Sequence, residues 1–246
     1  MNPYQTLTSF ILNHAGLNCH AVFRMADLPA SMQERLCEVN PDYLNYQQLI
    51  LIGHGGKDFW TALKEDGLAL PRQEGQHPVD EFTMRKVSEF MQIEHPQTHY
   101  QFLYPGAYSL NLQELGQLAG WHHASPFMVG INPTFGSWFA YRAVILANTN
   151  LPVSTQHQST SPCIACQEKI CIRICPADAL SGDAVSGEAY DLKKCLSYRQ
   201  QENSLCEVNC IARWSCPEAS EQRYTKEQMQ YHYGCSIKQI TKAKTD

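Results

Sequence analysis

Residues 163–217 read CIACQEKICIRICPADALSGDAVSGEAYDLKKCLSYRQQENSLCEVNCIARWSCP, and this stretch decides how the chain is organised. It holds eight of the eleven cysteines in a chain of 246 residues. The cysteines fall in two halves, and each half ends in Cys-Pro, at Cys175-Pro176 and at Cys216-Pro217. Proline has no N–H and resists continuation of a helix, so the chain turns away after each of these cysteines.

This order resembles the bacterial ferredoxin run, in which three closely spaced thiolates bind one iron-sulfur cube and the cysteine before proline binds a neighbouring cube. Two such runs predict two [4Fe-4S] clusters. By the crossed pattern, the predicted metal ligands are Cys163, Cys166, Cys171 and Cys216 for one cluster, and Cys175, Cys195, Cys206 and Cys210 for the other.

The spacing of the cysteines leaves two alternatives open. Four residues separate Cys166 from Cys171, and five separate Cys210 from Cys216, where about two are usual in the ferredoxin run. Pairs of the form C-x2-C also build structural zinc sites. An even number of closely spaced cysteines is also compatible with a disulfide framework.

Composition narrows the class of protein. A hydrophobic content of 43% and a charged content of 17% are typical of an ordinary soluble protein. The net charge of -5 argues against a broad nucleic-acid footprint, which would be basic, so we expect no nucleic acid as a partner. Without a secretory signal or an apolar run of membrane-spanning length, we expect a cytoplasmic protein with no membrane partner.

Hydrophobic patterns before the cysteine-rich stretch predict a mixed α/β domain. The apolar run Leu49 to Ile52, the glycine-rich turn after it and the helical spacing of Phe59, Trp60 and Leu63 predict a strand, a turn and a helix. Further strands are predicted at residues 19–23, 100–104, 127–131 and 140–146. A capping pattern that begins at Thr225 predicts a C-terminal helix.

Arg142 stands out because it interrupts an apolar strand. A charge in that setting is costly unless an anion meets it. An internal salt bridge and a carboxylate or phosphate group of a ligand both satisfy this requirement.

Residues 151–162 are rich in Ser, Thr, Gln and Pro, which predicts a linker. We therefore expect a main domain at residues 1–155, a cluster domain at 156–220, and a C-terminal helix with a tail at 221–246.

Residues 115–152, LGQLAGWHHASPFMVGINPTFGSWFAYRAVILANTNLP, are followed by a cysteine-rich segment that contains Cys195-Leu196-Ser197-Tyr198. This combination resembles epoxyqueuosine reductase and the related reductive dehalogenases. The resemblance implies an α/β (α+β) fold: a nitroreductase-like sheet flanked by helices that binds cobalamin, followed by a ferredoxin-like domain with two [4Fe-4S] clusters.

Three segments, HPVDEFTMRKV (77–87), INPTFGSWFAYRAVIL (131–146) and EQRYTKEQMQYHY (221–233), resemble the CblC-type cobalamin-processing protein, which removes the upper ligand of cobalamin. Both resemblances imply cobalamin as a cofactor. The cofactor-binding residues that they imply are His122, His123, Asn132, Gly136, Ser137, Trp138, Phe139 and Arg142.

The chain also departs from the reductases. Their proton-donating aspartate aligns near Gly106 to Leu112, where no acid stands, so Tyr108 is the nearest candidate for a catalytic donor. The repeats that hold transfer RNA are also missing, which argues against queuosine chemistry.

We expect an oxidoreductase that passes electrons from two clusters to cobalamin, either to process the upper ligand of the cofactor or to reduce a small substrate. A flavodoxin or a ferredoxin reductase would supply the electrons. The alternative is a two-cluster, ferredoxin-like electron carrier without cobalamin.

Overall fold

The computed structural model describes residues 2–67, 76–108, 110–155, 159–181 and 190–242. Its contacts divide the chain into two compact units. Unit 1 comprises Met1–Trp121 and Phe139–Gln158, and unit 2 comprises His122–Trp138 and Ser159–Asp246. The domain limits predicted at residues 155 and 220 stay predictions. Residues 156–158 of the predicted linker and 243–246 of the predicted tail lie outside the described residues.

Unit 1 combines a sheet with helices. Its strands are β1 (Cys19–Arg24), β2 (Gln48–Gly55), β3 (Tyr100–Tyr104) and β4 (Phe139–Ala147). Its α-helices are α1 (Phe10–His14), α2 (Ala30–Val39), α3 (Asp58–Glu65), α4 (Pro78–Glu94) and α5 (Leu112–Leu118). The strand order is β1-β2-β4-β3, and each pair of neighbours is antiparallel. The expectation of a mixed α/β fold is therefore confirmed.

Strand β2 lies at the centre of the core of unit 1. All eight of its residues are buried, as expected for the apolar run Leu49 to Ile52 between two neighbouring strands. The predicted order of strand, turn and helix is confirmed, since α3 follows β2 and buries Phe59, Trp60 and Leu63. Phe59 packs edge-to-face on Phe82 of α4, with ring centroids 5.5 Å apart.

A register shift between Ile52 and Gly53 interrupts the pairing of β2 with β4. A Cβ atom at Gly53 would lie 2.7 Å from the carbonyl oxygen of Ala140. Only glycine fits this close approach of two backbones, which is a common reason for glycine inside a strand.

Unit 2 consists of short helices and turns followed by one longer helix. The helices are α6 (Pro162–Ala165), α7 (Ile170–Arg173), α8 (Leu192–Arg199), α9 (Ile211–Trp214) and α10 (Lys226–Lys242). The predicted cap of α10 is confirmed, because the hydroxyl of Thr225 accepts a hydrogen bond from the N–H of Gln228 at 3.1 Å. None of the described helices has the length and apolar character needed to cross a bilayer.

The strand predicted at residues 127–131 is wrong. This segment forms turns, and an isolated bridge joins Ile131 to His123. Phe127 and Ile131 pack instead in an apolar cluster with Cys171 and Cys216. The apolar run reflects burial in this small core and not a place in the sheet.

Candidate functional site

The eight cysteines of residues 163–217 all belong to unit 2, on helices α6 to α9 and the turns that follow them. Cys163 and Cys171 lie within α6 and α7, Cys195 lies within α8, and Cys210 caps α9. All eleven cysteines of the chain are free thiols, so the disulfide alternative is not realised.

Four of these thiols are close neighbours and are named the first set: Cys163, Cys166, Cys171 and Cys216. Burial, together with the nearby thiols of the other three, raises the pKa of Cys163 to about 11. Burial also raises the pKa of Cys171, and Cys216 and Cys166 add to this effect. The first set therefore draws on both halves of the cysteine-rich stretch, as the crossed pattern requires, and its role as a metal site stays a prediction.

The other four thiols are named the second set: Cys175, Cys195, Cys206 and Cys210. Burial raises the pKa of Cys206, and the nearby Cys175 and Cys195 raise it further. Burial also raises the pKa of Cys210, with Cys206 and Cys195 adding to it. All four cysteines line one cavity of about 90 Å³. They therefore border one shared cavity.

Among the residues that the structure describes, no three His, Cys, Asp or Glu side chains converge closely enough to hold a single metal ion. Structural zinc needs four ligand atoms at about 2.0–2.3 Å from one ion. An iron-sulfur cube keeps its four thiolates further apart, since each binds a different iron atom. The choice between clusters and zinc stays a prediction.

Three basic side chains donate to backbone carbonyls of these cysteines. Lys169 Nζ lies 2.8 Å from the oxygen of Cys163, Arg223 Nη2 lies 2.9 Å from that of Cys216, and Arg199 Nε lies 3.1 Å from that of Cys206. None of these three basic residues was predicted from the sequence. The sequence feature that could have pointed to them is a basic residue six or seven positions from a cysteine, which is notable in a chain with a net charge of -5.

His122 and His123 both belong to unit 2. Burial and the neighbouring His123 lower the pKa of His122 to about 4. Burial also lowers the pKa of His123, whose Nε2 lies 2.8 Å from the hydroxyl oxygen of Ser159. Both rings are therefore neutral near pH 7, and a neutral imidazole can act as a ligand or a hydrogen-bond partner.

Asn132 and Gly136 shape the turn that both resemblances share. The side-chain oxygen of Asn132 accepts hydrogen bonds from the N–H groups of Thr134 and Phe135, at 3.1 and 2.8 Å. Gly136 has φ +56, and a Cβ there would lie 2.4 Å from the carbonyl oxygen of Glu218. Within unit 2, both residues serve the backbone of the turn.

Ser137 and Trp138 are fully buried. Arg213 donates to the carbonyl oxygen of Ser137 at 2.5 Å, and its guanidinium lies 4.6 Å from the centre of a Trp138 ring. Trp138 also packs edge-to-face on Trp214 and Tyr224. These contacts use both residues for packing and do not present them to a ligand.

Arg142 belongs to unit 1 and is half-buried. Its Nε donates to Nδ1 of the fully buried His54 at 3.0 Å, and its guanidinium lies 5.0 Å from the centre of the Phe59 ring. Within the described ranges, no carboxylate forms an ion pair with Arg142. The internal salt bridge is therefore absent among the described residues, and the ligand anion stays a prediction.

Phe139 and Tyr108 also lie in unit 1. Phe139 begins β4 and packs edge-to-face on Tyr141. Tyr108 is 39% exposed and lines a cavity of about 250 Å³ between α2 and α5. The structure therefore brings the cysteines together in two sets, and it divides the predicted cofactor residues between the two units.

No model of a known protein family matches the chain, and no curated protein matches it. Solved structures of epoxyqueuosine reductases do match. The Bacillus subtilis enzyme, with its catalytic loop swung out of the active site, has a TM-score of 0.51 and 12% identity, over 88% of this chain and 66% of that one. A selenomethionine-labelled epoxyqueuosine reductase gives a TM-score of 0.50 and 14% identity, over 90% and 68%.

At these identities the likeness shows the fold alone. The chain spans about two thirds of the length of the reductases it matches. The resemblance to the epoxyqueuosine reductase fold is thus supported, while the resemblance to the CblC type gains no support here.

A further solved structure that matches is an epoxyqueuosine reductase with an epoxyqueuosine-modified tRNA stem loop, with 13% identity and a TM-score of 0.48, over 90% of this chain and 67% of that one. The expectation of no nucleic-acid partner, which rested on the net charge of -5, is wrong in its reasoning. A net charge averages over the whole surface, whereas binding of phosphates depends on where the basic side chains lie.

Proposed function

We propose that the chain is an iron-sulfur oxidoreductase whose first and second sets of cysteines each hold a [4Fe-4S] cluster. The observation that carries this proposal is the division of eight thiols into two groups of four, each drawn from both halves of the cysteine-rich stretch. Clusters of this kind supply one-electron transfer at low potential. The chain contributes the thiolates, an apolar surrounding that limits access of water, and nearby cations.

The residues present fit such clusters. Cys171, Cys206 and Cys216 are buried, and the second set surrounds a cavity. The raised pKa values mean that these thiols stay protonated at neutral pH without a metal. Metal binding must therefore release protons, as it does at other thiolate sites.

Cobalamin is proposed as the electron acceptor on the strength of the resemblance. When bound, cobalamin would supply a cobalt ion that takes up electrons. Arg142 of unit 1 fits a role in holding it, because no described carboxylate neutralises its guanidinium. Trp138 and Ser137 do not fit direct contact in this structure, because both are fully buried in protein.

The substrate is proposed to be a modified nucleoside in RNA or a smaller molecule reduced in the same way. Tyr108 would donate the proton, since its side chain is exposed beside a cavity and no acid lies at residues 106–112. The alternative remains an electron carrier that binds no cobalamin.

The test is anaerobic quantification of iron and acid-labile sulfide, followed by EPR of cob(II)alamin with added protein. About eight irons and eight sulfides per chain, with a shifted cobalt signal, are the expected result. If the protein contains clusters but the cobalt signal does not change, the alternative function, an electron carrier without cobalamin, is favoured. Absence of sulfide would exclude clusters. Titration of the same sample with an epoxyqueuosine-containing tRNA stem loop and with an unmodified one then tests whether the protein binds a modified nucleoside in RNA.

A further inference from the structure

Arg199 is a buried charge in unit 2 whose contacts are all with neutral groups. Arg199 is only 8% exposed to solvent. Nε donates to the carbonyl of Cys206 at 3.1 Å, and Nη2 donates to those of Glu207 and Tyr233 at 3.3 and 3.2 Å. Nη1 donates to the hydroxyl of Ser236 at 3.3 Å. In the part of the chain that the structure describes, Arg199 forms no ion pair with a carboxylate.

This arrangement is expensive unless an anion lies close by. Arginine keeps its charge at every physiological pH. Removing an ion from water costs several kcal/mol, even after the protein relaxes around it. Carbonyl dipoles offset part of this cost, but they do not cancel the net charge.

The position of Arg199 shows where that anion would be. Arg199 follows Cys195 by four positions on α8, so both side chains project from the same face of the helix. Arg199 also lines the cavity of about 90 Å³ that Cys175, Cys195, Cys206 and Cys210 enclose. The buried cation and the four thiols of the second set therefore border the same space.

We propose that Arg199 is the fixed counter-charge of the cluster bound by the second set and that it raises the reduction potential of this cluster. The inference rests on the proposed function. Reduction adds an electron to a group that is already anionic, and a fixed cation at short range favours the reduced form. Lys169 and Arg223, the cations beside the first set, are only half-buried, so solvent screens them more strongly. The cluster on the second set is therefore the more easily reduced of the two.

The experiment is an EPR-monitored redox titration of the full chain, purified without oxygen, together with iron and sulfide contents. Arg199→Met removes the charge and keeps an apolar side chain of similar length. Arg199→Lys keeps the charge. Lys193→Met is the matched control, because it removes an exposed charge from the same helix.

In Arg199→Met we expect the midpoint potential of one of the two reduction waves to fall by at least about 59 mV. For one electron this is a tenfold shift of the equilibrium toward the oxidised form. The other wave stays in place. Arg199→Lys restores most of the shift, and Lys193→Met leaves both waves unchanged. Unmoved waves in Arg199→Met, with full iron and sulfide, would overturn the inference.

Three further outcomes are informative. If Arg199→Met loses about half of its iron while Arg199→Lys keeps it, the charge is required and the inference stands. Loss of iron in both variants means that Arg199 acts through its branched hydrogen bonds and not its charge, which overturns the inference. A wild-type protein without iron and sulfide contradicts the proposed function itself, so the two failures are distinguishable.

Discussion

His20 makes folding of unit 1 sensitive to acid. The ring is fully buried, its Nε2 lies 2.6 Å from the carbonyl oxygen of Leu17, and burial lowers its pKa to about 4. Between pH 6.5 and 4 the unfolded chain binds a proton that the folded chain does not. The free energy of unfolding should therefore fall by about 3 kcal/mol across this window and change little through His20 above pH 6.5.

Urea unfolding at a series of pH values checks this prediction. His20→Gln should flatten the pH dependence between pH 4 and 6.5, although part of the slope remains because the pKa of His122 is also lowered to about 4. His14→Gln, at an exposed position in α1, should leave the slope unchanged. An equal slope in wild type and His20→Gln would show that His20 takes up its proton without unfolding.

Arg142 offers a test of the cobalamin proposal. Hydrogen bonds to a charged group contribute about 1.5–3 kcal/mol, so Arg142→Met should weaken binding of cob(II)alamin at least about tenfold. Arg24→Met removes an arginine whose ion pair with Asp27 lies at the surface, and it should leave the affinity unchanged. Equal affinities for wild type and Arg142→Met, measured by optical titration, would remove Arg142 from the site.

Sequence reasoning recognised the cysteines and Arg142 because their residue types are unusual for their surroundings. It missed Arg199, since an arginine near the end of a polar helix is ordinary in sequence. Its significance comes from burial at 8% exposure and from the carbonyl oxygen of Tyr233 on α10, which lies more than thirty positions away along the chain.

Helices α6 to α9 bring together cysteines from the two halves of one stretch. The loss of iron in a double cysteine variant should therefore depend on which two cysteines are replaced. Under the proposed crossed assignment, Cys163→Ser with Cys216→Ser removes two ligands from one cluster, so about four irons should remain. Cys163→Ser with Cys175→Ser damages both clusters, and little iron should remain. Cys37 is far from both sets in sequence, so Cys37→Ser should keep the full iron content. If the first pair loses all iron and the second keeps half, the two halves bind separate clusters and the crossed assignment is wrong.

Adding a methyl group at two glycines should have opposite effects. Gly53→Ala places a Cβ 2.7 Å from the carbonyl oxygen of Ala140, and forcing β2 and β4 apart should destabilise the protein by about 1–3 kcal/mol. Gly234→Ala lies in α10 with its nearest neighbour 3.9 Å away, so it should be neutral or stabilising by up to about 1 kcal/mol. Thermal unfolding of both variants measures the contrast, and a stable Gly53→Ala would mean that the bulge can relax.

Local patterns predicted the elements whose signal lies within the element itself. Strand β2 follows from its apolar run, and α10 from the cap at Thr225. The segment at residues 127–131 was misread because burial produces the same apolar run in a turn as in a strand. The strand order β1-β2-β4-β3 depends on contacts between distant residues, which no local pattern contains.

Removal of iron should affect the two units unequally. In unit 2, cysteines form part of the apolar core, whereas unit 1 has a sheet of its own. After anaerobic chelation we expect amide hydrogen exchange to accelerate in residues 122–138, 159–181 and 190–242, while β2 and β4 keep their protection. Mass spectrometry of peptides locates the change. Equal acceleration in β2 would show that the two units unfold together.

The division into units also limits how gene segments that encode this protein can be exchanged. The chain leaves unit 1 after Trp121, returns at Phe139 and leaves it again after Gln158. A gene segment exchanged at one boundary near residue 158 would carry the eight cysteines but leave behind Phe127 and Ile131, which pack against Cys171 and Cys216. The cysteine-bearing unit is therefore not a cassette that recombination can attach to the end of another protein in one step.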